Sequence, residues 1–145
     1  MAIEVYANAY VTINGVNLSD HSNLVRANWG QETRDATAHS TAGAQRVFRT
    51  GLATRSLEAT FFNDYAATNV ETTLRGTIVG TTSTGVAVEV RAKNAVVSAT
   101  NPRYYGDAVL DGDLMTVDSA VGELQAVTVR FQPYGLWTVS TSSTT

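Results

Sequence analysis

A chain of 145 residues is one domain's worth of sequence, long enough to bury a core and too short for two ordinary domains side by side. Charged residues make up only 16%, and 10 Lys+Arg against 13 Asp+Glu leave a net charge of -3, which argues against a protein that grips nucleic acid through a basic patch. The absence of Cys excludes disulfides, thiolate metal sites and a cysteine nucleophile, so the fold must hold by packing.

At the N-terminus, Met1-Ala2-Ile3-Glu4-Val5 has neither the basic nor the apolar region of a signal peptide. No stretch approaches the roughly 18 apolar residues of a membrane span, and synthesis in the cytosol is the expectation. Asn17-Leu18-Ser19 reads as a chance sequon on that basis. Period-two alternation then dominates. It predicts strands over Ala9 to Asn14 and Asn23 to Trp29, with Asn14-Gly15 as the tight turn between Val11/Ile13 and Val16/Leu18.

From Gln31 to Gln45 the sequence QETRDATAHSTAGAQ has too little hydrophobicity to pack on its own core. A polar connection of this length inside a small β domain is either a mobile surface loop or a segment that contacts a partner. Arg46, Arg49 and Arg55 follow it, bracketing Val47-Phe48 and Gly51-Leu52, and give a local positive edge better suited to a protein interface than to nucleic acid.

Ser56 to Phe62 is the next predicted strand. One helix is predicted over Tyr65 to Arg75, where Ala66, Val70 and Leu74 share a face. Asn63 or Asp64 would cap it, Thr68 with Glu71 offers a second capping box, and Gly76 would end it. Gly76, Gly80 and Gly85 lie in a Thr/Ser-rich connector with no lysine placed as in a phosphate-binding loop. The clearest alternation follows in Val86 to Lys93, then in Ala108 to Val117 and Val127 to Phe131, which brings the total to six strands or more and points to a sandwich or barrel. Ser140 to Thr145, STSSTT, reads as a flexible tail.

Little in the chain points to chemistry. His21 and His39 each stand in polar loop-like sequence, so a His-rich zinc site is excluded within one chain. There is no Gly-x-Ser-x-Gly elbow to present a nucleophilic serine. Asp111-Gly112-Asp113 with Asp118 and Glu123 is the densest acidic cluster, but its glycine falls at the second position and Met115 at the fifth, which is not an EF-hand loop. A solvated acidic face, one that repels phosphate by sign alone, fits it better. No catalytic residue, cofactor or metal is expected, and the chain reads as one domain over residues 1–139 with a tail at 140–145.

Three stretches together carry a family resemblance. They are the hairpin Thr12-Ile13-Asn14-Gly15-Val16-Asn17-Leu18-Ser19-Asp20, the run Ser56-Leu57-Glu58-Ala59-Thr60-Phe61-Phe62-Asn63-Asp64 leading into the helix, and the later half. That half runs from Val88-Glu89-Val90-Arg91-Ala92-Lys93-Asn94 through Ser98-Ala99-Thr100-Asn101-Pro102-Arg103-Tyr104 and Gly122-Glu123-Leu124 to Val127-Thr128-Val129-Arg130-Phe131. In this order the chain resembles the tail tube proteins, or major tail proteins, of long-tailed bacteriophages, especially those of actinobacterial hosts.

The resemblance implies a mainly β, sandwich or barrel-like subunit with one flanking helix and a long inter-strand loop. It implies a structural virion protein, made in the host bacterial cytoplasm, whose hexameric rings stack into a tube through which DNA passes. Partners would be further copies and other tail proteins such as tape measure, terminator and baseplate, with no specific DNA binding and no membrane binding. Residues 31–50 match the loop that reaches the next ring, so Arg34, Asp35, Arg46, Val47, Phe48, Arg49 and Leu52 are the expected contact residues. Asp107, Asp111, Asp113, Asp118 and Glu123 are the candidates for an acidic lumen. Related rings of tail terminators, baseplates and injection systems share the architecture. A monomeric β-sandwich binding module is the reading from a different class, although Trp29 and Trp137 are too far apart in sequence to announce a carbohydrate platform.

Overall fold

The computed structural model describes residues 9–37, 46–65, 69–76, 85–114 and 121–142. Their core is built by alternation. Val11 and Ile13 on β1 (Tyr10–Ile13), Val88 and Val90 on β5 (Val86–Arg91), Leu57, Ala59 and Phe61 on β4 (Phe48–Phe62) and Val127, Val129 and Phe131 on β7 (Ala126–Pro133) all point inward and are buried. The intervening residues of each strand face outward, as a period of two requires.

β2 (Val16–Asn17), β3 (Ser22–Asp35), β6 (Arg103–Asp111) and β8 (Thr138–Ser140) complete the sheet, in which all pairings are antiparallel. The order is β2-β1-β5-β6-β7-β4-β3, with β8 joined to β6 off that path. β6 is the crossing point. Its residues 103–108 pair with β5 on one edge, while on the other edge β8 takes residues 103–105 and β7 takes 108–111. The two ends of the sheet fold toward one another around the common core, so that Trp29 of β3 meets Tyr104 of β6 with ring centroids 5.5 Å apart. The fold is mainly β and sandwich-like, with one α-helix among the described residues.

That helix, α1 (Val70–Gly76), buries Val70, Thr73 and Leu74 against the core and pairs Glu71 with Arg75 on its outer side at 2.9 Å. It begins later than the predicted Tyr65: residues 63–65 have no regular structure and residues 66–68, with the predicted Thr68 capping box, lie outside those described. Asp64 acts through its side chain, receiving the Asn69 amide at 2.6 Å, and through its carbonyl, which accepts the Glu71 N–H at 3.1 Å.

Other boundaries also move. β6 starts five residues before the predicted Ala108 and stops at Asp111, where Gly112 turns the chain with φ at 92°. Residues 115–120, the far end of the predicted strand, lie outside those described. The tail expected from Ser140 begins inside a strand, because Ser140 pairs with Arg103. The largest correction concerns the polar stretch from Gln31: residues 31–35 continue β3, and Phe48 to Ser56 extend β4 to match. The β-branched Thr33 and Thr50 stand directly opposite one another there, and main-chain ladder bonds hold what apolar burial does not.

Candidate assembly surface

β3 and β4 form a hairpin with two different halves. Near the body, β7 flanks β4 from Leu57 to Phe62. Beyond Leu57, among the described residues, β4 pairs with β3 alone, and the two strands form an arm of residues 30–37 and 46–54 whose side chains are mostly exposed. Three rings and planes mark the base of the arm. The Arg55 guanidinium lies 3.8 Å from the centre of the Trp29 ring, its opposite neighbour in the ladder, and Trp29 in turn meets Tyr104 edge-on. Arg55 also donates to the carbonyls of Gly30 and of Thr54, the latter at 2.9 Å, which ties both strands at the point where they leave the body.

Farther out, a bulge sets Gly51 and Leu52 against Glu32. A Cβ on Gly51 would lie 3.0 Å from the Glu32 Cβ, so a larger residue here would make its neighbour give by a few tenths of an ångström. Beyond the bulge the expected contact residues come together in pairs. Arg34 stands opposite Arg49, and Asp35 opposite Phe48. Arg34 has Glu32 at 3.7 Å, whereas Arg49 has no carboxylate partner among the described residues. Asp35 accepts the Thr37 N–H at 2.9 Å, and these hydrogen bonds to Thr37 hold its carboxyl below the usual carboxylate range. Val47 closes this end of the described arm, its carbonyl taking the Ala36 N–H and its N–H bonding Thr37 Oγ1. Arg46 is exposed, as are Phe48 at 55% and Leu52 at 70%. Residues 38–45, including His39, lie outside those described.

The acidic candidates separate. Asp107 and Asp111 both leave the outer face of β6, but Asp111 is partly answered by Arg130 at 4.0 Å and receives the Gln132 amide at 3.0 Å. Asp113 and Glu123 are exposed just beyond Gly112 and Gly122 respectively, and Asp118 lies outside the described residues. Among the described residues no three His, Asp or Glu side chains converge as a metal site. His21 joins Asp20 at 2.7 Å and Asp64 at 3.1 Å, an arrangement that pins the turn before β3 to the approach of α1.

Sequence reasoning missed two features. One is the Trp29, Arg55 and Tyr104 stack, which depends on β3 crossing over β6 and has no local signature. The other is a half-buried ionic cluster on the outer face of β5 and β6, where Glu89 meets Arg91 at 2.6 Å and Arg103 at 3.9 Å. There Arg91 stacks on Tyr10 and Arg103 on Tyr105. Its signal was present as Glu-x-Arg and Arg-x-Tyr at strand spacing in two segments that the register makes neighbours.

No protein-family model matches the chain, and no curated protein matches it significantly. Solved structures do. A chain in the virion of a native gene transfer agent particle aligns with a TM-score of 0.73 at 11% identity, over 95% of this chain and 99% of that one. A chain in the tail of an empty gene transfer agent particle, determined with C6 symmetry, aligns at 0.68 and 12% identity over 92% and 94%. A chain in the six-fold symmetrised baseplate of the anti-feeding prophage aligns at 0.56 and 9% identity over 99% and 100%. At these identities the likeness establishes a fold, one shared with chains found in a gene transfer agent tail and in the anti-feeding prophage baseplate.

Proposed function

We propose that this chain is a structural subunit of a tail-like virion particle, and that its copies close into hexameric rings which stack into a tube that DNA traverses. The observation that carries the reading is the arm. An isolated two-stranded hairpin is marginal in water, yet this one projects Phe48, Leu52 and an opposed arginine pair that stay largely exposed. A neighbouring subunit supplies what the arm lacks. The outer edge of β3, which pairs with no other strand among the described residues, favours the same conclusion, because closing strands between copies removes an edge that would otherwise aggregate. The six-fold tail and baseplate neighbours support a ring of six.

A ring in a baseplate is the second reading, favoured by the full-length alignment with the anti-feeding prophage chain. Electron microscopy of the purified protein at high concentration, with mass measured by light scattering, tests both. Stacked rings with six-fold end views are expected for a tube subunit and isolated rings for a baseplate subunit. A persistent species of 15.5 kDa overturns the proposal.

A further inference from the structure

We propose that the arm of one copy docks at the sandwich mouth of another, with Phe48 entering the cleft between β3 and β8 while Asp35 pairs with Arg55. The inference rests on the self-assembly reading above and names the receptor for the arm.

The cleft is lined by Ala27, Trp29, Tyr104 and Val139 and encloses about 370 Å³. Trp29 remains 41% exposed and Val139 40%, so two apolar residues on the inward side of their strands face water at a mouth where the layers stay apart. Phe48 is the complementary feature, a large apolar side chain held out at the other end of the arm. Within one chain the two cannot meet. Six residues separate Trp29 from Asp35 along β3, which at about 3.3 Å per residue places Phe48 roughly 20 Å from the cleft.

Charge selects a second copy of this chain as the occupant. Asp35 and Phe48 are opposed in the ladder, so they leave the arm on the same face as an acid beside a ring. Arg55 and Trp29 are opposed in the same way at the mouth, as a base beside a ring. Arg55 has no carboxylate partner among the described residues and spends its hydrogen bonds on main-chain carbonyls. The hydrogen bonds from Thr37 lower the Asp35 pKa and so favour its charged form. The arm tip is therefore the apolar and electrostatic complement of the mouth. Because tip and mouth are different surfaces, the contact is head-to-tail and repeats from copy to copy, as a ring or a stack requires.

The test uses the full chain with p-benzoylphenylalanine in place of Phe48, irradiated under assembling conditions and mapped by mass spectrometry. Crosslinks between copies at Trp29, Tyr104 or Val139 are expected. Phe48→Ala should weaken self-association at least tenfold by sedimentation velocity, as loss of a central aromatic anchor does. Asp35→Arg and Arg55→Asp should each weaken it, with recovery when both are present in one chain. The crosslink reads the native cleft, so it decides the matter even if Arg55→Asp disturbs the arm base. Rings or tubes whose crosslinks map elsewhere, on this chain or on another tail protein, overturn this docking and leave the assembly reading standing. A chain that remains monomeric overturns both.

Discussion

The indole Nε1 of Trp137 donates to the main-chain carbonyl of Asp107 at 2.9 Å, and the ring lies flat enough on β6 that a Cβ at Gly106 would sit 2.8 Å from Trp137 Cγ. The same carbonyl accepts the Tyr134 N–H at 2.9 Å. These contacts fill the gap on the edge of β6 between its pairing with β8 and its pairing with β7, where ladder bonds are interrupted. Gly106→Ala should therefore displace Trp137 and loosen β8, at a cost of about 1–3 kcal/mol for overpacking. Chemical denaturation with tryptophan fluorescence measures this, and an unchanged midpoint would show that the ring yields without cost.

Asn101 organises the turn that precedes β6. It is 4% exposed, its amide nitrogen donates to the carbonyls of Lys93, Ala95 and Val96 at 3.1 to 3.3 Å, and its amide oxygen accepts the Lys93 N–H at 3.1 Å. Asn101→Ala removes four part-buried hydrogen bonds to the main chain of this turn and should destabilise the fold by about 1–3 kcal/mol. Asn101→Asp keeps only the acceptor and should fall in the same range. Amide exchange at Lys93 is the local check, since it should accelerate in the alanine variant and stay slow in the aspartate one.

His21 makes stability depend on pH. Burial alone would lower its pKa, but hydrogen bonds and charge from Asp20 and Asp64 outweigh that and raise it above 6.5. A raised folded pKa means that the native state holds its proton more tightly than the unfolded chain does. The resulting stabilisation is complete below the unfolded value, while the carboxylates remain ionised, and fades as pH rises through the folded value. The urea midpoint of the wild type should thus fall relative to that of His21→Gln as pH rises above the unfolded value of about 6.5 and through the raised folded value. Parallel profiles for the two proteins would remove His21 from the account.

The body of the sandwich was legible in the sequence because burial enforces a period of two. Val88 and Val90, Leu57 to Phe61 and Val127 to Phe131 all appear as alternating runs and all face the core. β8 was not legible, since Thr138-Val139-Ser140 is too short and polar to show a period, and it forms only because Tyr104 offers Val139 a partner. The arm is hidden in the sequence for a related reason. Low hydrophobicity does not preclude order here, because residues 31–35 and 48–53 pair through main-chain bonds and β-branched side chains with little burial. Composition does single out the residues that this arm exposes: arginines beside Val47, Phe48 and Leu52 in an otherwise polar stretch. The cleft that complements them needs Ala27, Trp29, Tyr104 and Val139 from three strands distant in sequence, and no local pattern foretells it.

The acidic face yields the final prediction, and the register of β6 changes which residues should be tested. DNA carries one charge per roughly 1.7 Å of axis, so a tube wall with net positive charge would retain it while an acidic wall lets it slide. Asp111 contributes little to such a wall, because Arg130 stands directly opposite in the ladder and partly neutralises it. Replacing Asp111 by Lys would also set two like charges opposite one another on β6 and β7, costing about 0.2–1 kcal/mol and confusing any effect on DNA with an effect on the fold. Asp107, Asp113 and Glu123 are exposed and have no ion-pair partner among the described residues, which makes them the informative positions. If they face the lumen, Asp113→Lys with Glu123→Lys should leave assembly unchanged by electron microscopy. DNA release from complete particles should slow at low salt, and the defect should shrink as salt rises, because phosphate contacts weaken with counterion concentration. Release at the wild-type rate from fully assembled particles at low salt would place these two residues away from the lumen.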